Sequence, residues 1–428
     1  MNNSIIAGII FVFTYILIIS EKTHRTTAAM FGAVVIVLFG EKYGFYSQKD
    51  ALAYIDFNTI GLLLGMMIVV SVLGKTGFFE YLAIKSAKIS GGNPWRLLLI
   101  FGIVTAFISM FLDNVTTILL VAPTSIVVSR KLEIDPIPCL ISESLLSNVG
   151  GVATLVGDPP NVMIASATGF SFNDFIIRLF PVVFFVLFAC ILVIRIIFRK
   201  ELKKNPKNIE ALMEMDEREQ IDDWDNLKKS LAVLGFTIFL FTLHDKINLN
   251  SSSVALIGAT LTLLVCKSDP HEVLLEVEWP TLVFFAGLFV VVGAVDKVGI
   301  LSTVALKIQS FSDSDIKLGV LLVIFLAAFL SSLVDNIPFT AAMIPIIKHM
   351  GDAGLNVNPL WWALALGVGF GGNGTPIGSS ANVVTLGISE KYGYPISFGR
   401  WLRAGVPVMI VSIIIASVFL TVFPQYFT

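Results

Sequence analysis

Eight apolar runs, each near the length that crosses a bilayer as one helix, divide this 428-residue chain at 4–20, 25–40, 57–74, 177–198, 231–246, 252–266, 279–296 and 403–424. Hydrophobic residues make up 56% of the sequence and charged residues 14%, more apolar surface than one soluble core hides, so lipid is the expected solvent. The first run follows an uncharged Met1-Asn2-Asn3-Ser4 and is read as a retained span, not a signal peptide. The expectation is an all-α, polytopic, multi-pass protein of a cell's inner membrane.

Other stretches do not fit a plain span. Residues 96–129 and 318–349 are apolar on both sides of a central Asp-Asn, whereas 137–167 and 359–388 are apolar but broken by Gly, Pro and polar residues. Re-entrant helical hairpins and spans with an unwound middle explain the two patterns. Asp113-Asn114 and Asp335-Asn336 lie 222 positions apart, and the same offset pairs Gly65 with Gly287, Lys75 with Lys297, Ser109 with Ser331 and Pro123 with Pro345. After a one-residue slip, Gly150-Gly151 pairs with Gly371-Gly372, Thr154 with Thr375, Gly157 with Gly378 and Asn161 with Asn382. Such a match marks an internal repeat.

The first half, 1–198, is expected to cross the membrane an odd number of times, which inverts the second half, 231–428, relative to it. Between them, 199–230 carries eight basic residues, among them Arg199, Lys204 and Lys229, and reads as a cytoplasmic linker. Lys22, Arg25 and Lys75 fall on the linker's side of the first half, while Lys297, Lys307 and Lys317 of the second do not follow the same rule.

An Asp inside an apolar hairpin costs roughly 3 kcal/mol on insertion scales and is tolerated in a wet cavity or beside a partner. Asp113 and Asp335 are therefore first candidates for a site, with Asn114, Asn336, Thr116, Thr117 and Thr340 beside them. Asp and Asn also cap helices, and that role is compatible with a site at helix N-termini. Pro159-Pro160 and the glycines of 369–378 break their helices, exposing backbone groups near Thr154, Gly157, Asp158, Asn161, Asn373, Thr375, Gly378, Ser379 and Asn382. A structural kink alone is the competing explanation.

Asp158 has Ser379 as its repeat mate, so the halves differ in charge there, which suits a coupling proton or cation. Glu143 is either a second titrating group or lies at the membrane interface. Arg178 and Arg195 are expected to snorkel. Cys139, Cys190 and Cys266 are far apart, and His24, His244, His271 and His349 lack ligand spacing, so no metal or cofactor is expected. Nothing resembles a nucleophile elbow or P-loop, which argues against an enzyme. Expected partners are lipid, a small inorganic solute and a coupling proton or sodium ion, not nucleic acid; an ATPase subunit and a homodimer stay open.

Phe111-Leu112-Asp113-Asn114-Val115-Thr116-Thr117, Gly157-Asp158-Pro159-Pro160-Asn161 and Gly371-Gly372-Asn373-Gly374-Thr375 resemble signatures of the ion transporter superfamily. The similarity is nearest to its arsenite permease and NhaD-like branch, which includes the melanosomal P protein, and runs over about 50–425. This resemblance implies an elevator-type carrier with a scaffold domain and a transport domain. Dicarboxylate carriers of the superfamily place Ser-Asn-Thr at the tips, where this chain has Asp113-Asn114-Val115 and Asp335-Asn336-Ile337. The acidic tips favour a cation, a proton or a neutral hydroxide. The leading expectation is proton-coupled efflux of arsenite or antimonite, held by Asn114, Asn336 and the broken backbone. Its rivals are an NhaD-like sodium/proton antiporter and, further off, an anion or dicarboxylate carrier or a passive ion channel.

Overall fold

The computed structural model describes residues 3–20, 22–203, 206–312 and 316–428, so that Lys204 of the expected linker and residues 1 and 2 of the first half, among others, lie outside the described residues. All regular elements among these residues are helical. In chain order they are α1 (Asn3–Ile19), α2 (Arg25–Tyr43), α3 (Gln48–Tyr54), α4 (Phe57–Gly74), α5 (Phe78–Ile89), α6 (Pro94–Ser109), α7 (Asn114–Lys131), α8 (Ile137–Gly151), α9 (Pro159–Thr168), α10 (Phe172–Ile197) and α11 (Ile209–Met213). There follow α12 (Trp224–Leu243), α13 (Ser251–Cys266), α14 (Pro270–Leu275), α15 (Trp279–Lys297), α16 (Ile300–Ser312), α17 (Ile316–Leu333), α18 (Asn336–Asp352), α19 (Asn358–Gly371), α20 (Ser380–Lys391) and α21 (Phe398–Val422).

The order of long and short helices in α1–α10 repeats in α12–α21. Packing repeats as well: α6 lies on α8 as α17 lies on α19, and α4 meets α13 of the other half as α15 meets α2. The paired helices α10 and α21 pack on each other, with Cys190 Sγ and Ser412 Oγ 3.3 Å apart at their junction. Seven helices among the described residues are long and apolar enough to cross a membrane. Phe184, Phe188 and Ile196 on α10 and Ile5, Ile9 and Ile16 on α1 are exposed, as lipid-facing side chains are.

All eight expected spans are helices, and both Asp-Asn stretches are helix pairs joined by short turns. Five short helices, α3, α5, α11, α14 and α16, have no counterpart among the expected spans, because their mixed faces carry no long apolar run. The linker ends earlier than position 230. Helix α12 starts at Trp224, since the Asp223 carboxylate accepts from the amides of Asp225 and Asn226 and caps a polar first turn. What precedes it is docked against the first half: Lys88 Nζ meets Glu217 Oε2 at 2.7 Å and holds that carboxyl below its usual range. Gly77 turns with φ 75° directly beneath the Gln220 carbonyl, where a side chain has no room.

Two arginines do more than snorkel. Arg178 pairs with Asp174 at 2.8 Å and stands 5.5 Å over the Trp362 ring, and Arg195 stands 4.9 Å over Trp95.

Close helix contact rests on small residues. A Cβ on Gly150 would lie 2.1 Å from the Ala106 carbonyl oxygen, and one on its mate Gly371 would lie 2.5 Å from Ala328 Cα. Backbone-to-backbone approach of this kind is how helices associate where no hydrophobic force separates them from lipid. Gly150→Ala and Gly371→Ala should each destabilise the purified protein by roughly 1–3 kcal/mol, read as a lower melting temperature in detergent. Substitution at Gly235, where a Cβ meets nothing within 4 Å, should leave it unchanged.

Candidate functional site

The two helix pairs bring their N-capped second helices to one place. Asp113 caps α7, its Oδ1 accepting from the Thr116 amide at 3.0 Å and its Oδ2 from the Thr116 hydroxyl at 2.5 Å. Asp335 caps α18 through the Ile337 amide at 3.2 Å. Asp113 lines the small central cavity described below, whereas Asp335 lines the open cavity beside it.

The breaks are pinned alike in both halves. Asn161 Nδ2 donates to the carbonyls of Val152 (3.0 Å) and Thr154 (2.8 Å), and its mate Asn382 donates to those of Gly372 (2.8 Å) and Thr375 (2.9 Å). The Thr154 hydroxyl donates to the Met110 carbonyl and the Thr375 hydroxyl to that of Ser332. Gly151 and Gly157 approach each other's backbone, as Gly372 and Gly378 do. Of the expected site residues, then, Thr154, Gly157, Asn161, Thr375, Gly378 and Asn382 hold the breaks open, with the donors of Asn161 and Asn382 spent on that task. Thr340 donates to the Asn336 carbonyl at 2.7 Å, and Thr117 Oγ1 is buried without a hydrogen-bond partner.

Between the breaks lies Asp158, 1% exposed. It heads α9, yet makes no side-chain cap bond, because Pro159 and Pro160 at the first helical positions offer no N–H to accept from. Its carboxylate is therefore free to turn to the centre. Asn114 Nδ2 reaches Asp158 Oδ1 at 3.4 Å and Asn336 Nδ2 reaches the same oxygen at 3.3 Å, one from each hairpin tip. The other oxygen, Oδ2, has no hydrogen-bond partner.

Asn148 of α8 joins these parts, and the sequence reading did not single it out. It accepts from Asn114 Nδ2 and Ser379 Oγ, both at 3.0 Å, and donates to Asn373 Oδ1 at 2.8 Å and Asn382 Oδ1 at 3.0 Å. The available signal was the run of polar residues in an otherwise apolar α8: Ser142, Glu143, Ser144, Ser147 and Asn148, all of which the fold buries to 1% exposure or less. Glu143 is fully buried within the protein; Ser125 donates to it at 2.5 Å, and its Oε2 has no hydrogen-bond partner.

Arg25 also escaped the sequence reading as a site group. From α2 it reaches Asp335 Oδ2 at 2.8 Å, donates to the Ser380 hydroxyl, reaches Thr281 Oγ1 at 3.3 Å and stands 5.3 Å from the Phe284 ring. Arg25, Asp113, Asn114, Glu278, Asn336 and Ser380 line a central cavity of about 10 Å³, room for about one water-sized occupant. Arg25 and Ser380 separate it from an open cavity of about 370 Å³, and Met67 and Glu278 from another of about 330 Å³.

The citrate transporter family model matches residues 15–367. The chain belongs to this family. A 46 kDa membrane protein of Mycobacterium leprae is 42% identical over 424 residues, covering 97% of this chain and 98% of that one. The human P protein is 34% identical over 503 residues, covering 98% of this chain but 59% of the P protein. Among solved structures, the Alcanivorax borkumensis YdaH transporter, described as having an unusual topology, aligns with a TM-score of 0.62 over 100% of this chain and 99% of that one, at 14% identity. That likeness speaks for the fold alone. This citrate transporter family member is a multi-pass membrane transporter, with a transported solute and lipid as its partners.

Asn148→Ala leaves Asn373 Oδ1 and the Ser379 hydroxyl without a partner in a dry interior and takes one partner each from Asn114 and Asn382. The loss should be roughly 1–3 kcal/mol of stability, seen as a lowered melting temperature in detergent, whereas an unchanged value would mean the network relaxes onto other partners.

Proposed function

We propose that this transporter is a secondary active antiporter that exchanges protons for a small monovalent cation, sodium in the first instance, at Asp113, Asp158 and Asp335. The observation that carries this reading is Asp158: buried, held on Oδ1 by both hairpin tips, with Oδ2 free of protein partners. A lone carboxylate oxygen in a dry interior is costly. Either a proton or a bound cation satisfies it, and alternation between the two is exchange. The cavity of about 10 Å³, lined by Asp113, Glu278 and the same Asn114 and Asn336 that hold Asp158, has the size of a bare ion.

Arsenite or antimonite efflux is the second reading, favoured by the amides and hydroxyls of Asn114, Asn148, Asn336 and Ser379 at the centre. A neutral trihydroxide would have to take over amides already donated to Asn148 and Asp158. Citrate, the cargo in the family's name, would meet Asp113, Asp158, Asp335 and Glu278, with Arg25 already paired to one of them. Within this reading, 1–198 and 231–428 act as inverted repeats, 96–129 and 318–349 as re-entrant hairpins, and the hairpins with 137–167 and 359–388 move as a transport domain along a scaffold.

The test uses inverted membrane vesicles. Sodium should drive proton movement, and Asp158→Asn should abolish it while the protein folds at least as stably, since the isostere keeps a carbonyl for Asn114 and Asn336. Asp113→Asn and Asp335→Asn should also lose coupling, with their caps retained. Arsenite accumulation driven by acidification without sodium would transfer the assignment to the second reading. Flux that no ion gradient drives uphill would make the protein a channel.

A further inference from the structure

The two tip carboxylates are repeat mates but are not equivalent. Asp335 carries an ion pair with Arg25, while Asp113 accepts from the amide and hydroxyl of Thr116 within its own helix. Helix α2 opens with Arg25, whereas α13, its counterpart in the order of elements, opens with Ser251, so the arginine belongs to one half only. Its guanidinium binds three groups at once: the Asp335 carboxylate, the Ser380 hydroxyl that itself donates to Asp335 at 2.6 Å, and Thr281 Oγ1. Thr281 in turn donates to Glu278 Oε2 at 3.2 Å, so a chain of contacts runs across the centre from one acid to another. Arg25 belongs to α2, which packs on α1 and α15, whereas Asp335 and Ser380 open α18 and α20.

We infer that Arg25 is a tethered competitor for the transported cation at Asp335, and thereby sets how much cation the site demands. An always-charged guanidinium occupies the place a cargo ion needs. An arriving cation has to displace it, at which point Thr281 and Glu278 stand ready on the far side to receive it. The same step cuts the ion pair between α2 and the α18 tip. Loaded and unloaded sites thus differ in whether that tip is tied to α2. A site with only acids would bind the cation more tightly and release it more slowly. This inference rests on the cation reading above and deepens it.

The experiment compares wild type, Arg25→Gln and Arg25→Lys as purified full-length protein in proteoliposomes, measuring sodium-driven proton flux against sodium concentration. Arg25→Gln removes the competing charge and should lower the half-saturating sodium concentration about tenfold, with Arg25→Lys between it and wild type, because an ammonium competes without the fork. Sodium-dependent thermal stabilisation in detergent gives a second readout and should set in at correspondingly lower sodium in Arg25→Gln. If wild type exchanges sodium for protons and Arg25→Gln has the same half-saturation in both measurements, or a higher one, the competitor role is wrong while the cation reading stands. If wild type itself moves no protons with sodium, the cation reading fails and this inference falls with it.

Discussion

A helix broken inside an apolar bundle must find partners for the backbone groups it frees, because neither lipid nor a dry core supplies them. Here the need is met by one carboxamide per half. Asn161 and Asn382 each donate to two carbonyls of their own break, and Thr154 and Thr375 tie those breaks to the adjacent hairpin turns. The glycines beside them let backbone meet backbone, Gly150 on Ala106 and Gly371 on Ala328. With the breaks fixed, the hairpin tips have a rigid wall to close on.

On that symmetric frame the chemistry is asymmetric by complement. Where the first half places Asp158 the second has Ser379, and where the first has Asn148 the second has Gly369. A Cβ at Gly369 would stand 3.2 Å from Asp158 Oδ2, so the glycine makes room for the carboxylate, while Ser379 donates to Asn148. Large polar groups of one half thus fill the space left by small residues of the other. Pro159 and Pro160 complete the arrangement, since a helix start without N–H donors leaves Asp158 unspent as a cap. Both halves build the cage, but one half supplies the carboxylate at its centre.

Much of this was legible in the sequence because the constraints are local or repeated. Apolar length fixes the spans, two prolines and clustered glycines fix the breaks, and the 222-residue offset ties Asp113-Asn114 to Asp335-Asn336. Asn148 was not legible, since its mate is a glycine and the repeat gives it no emphasis. Arg25 read as a loop charge at a span end; only the packing of α2 against α15 brings it to Asp335, 310 positions away. The short helices and the early start of α12 depend on caps and docking, not on hydropathy. Asn161 and Asn382 were visible as polar residues in the breaks, yet that they serve the backbone is a matter of geometry.

The exchange of a proton for a cation at Asp158 is tested most directly by infrared difference spectroscopy of the purified protein on adding sodium. A protonated carboxyl should disappear from the spectrum as sodium binds, and that band should be missing from Asp158→Asn while the bands of other carboxyls persist. A wild-type spectrum in which sodium changes no carboxyl band, or an identical change in Asp158→Asn, would contradict the assignment of the exchanged proton to this residue.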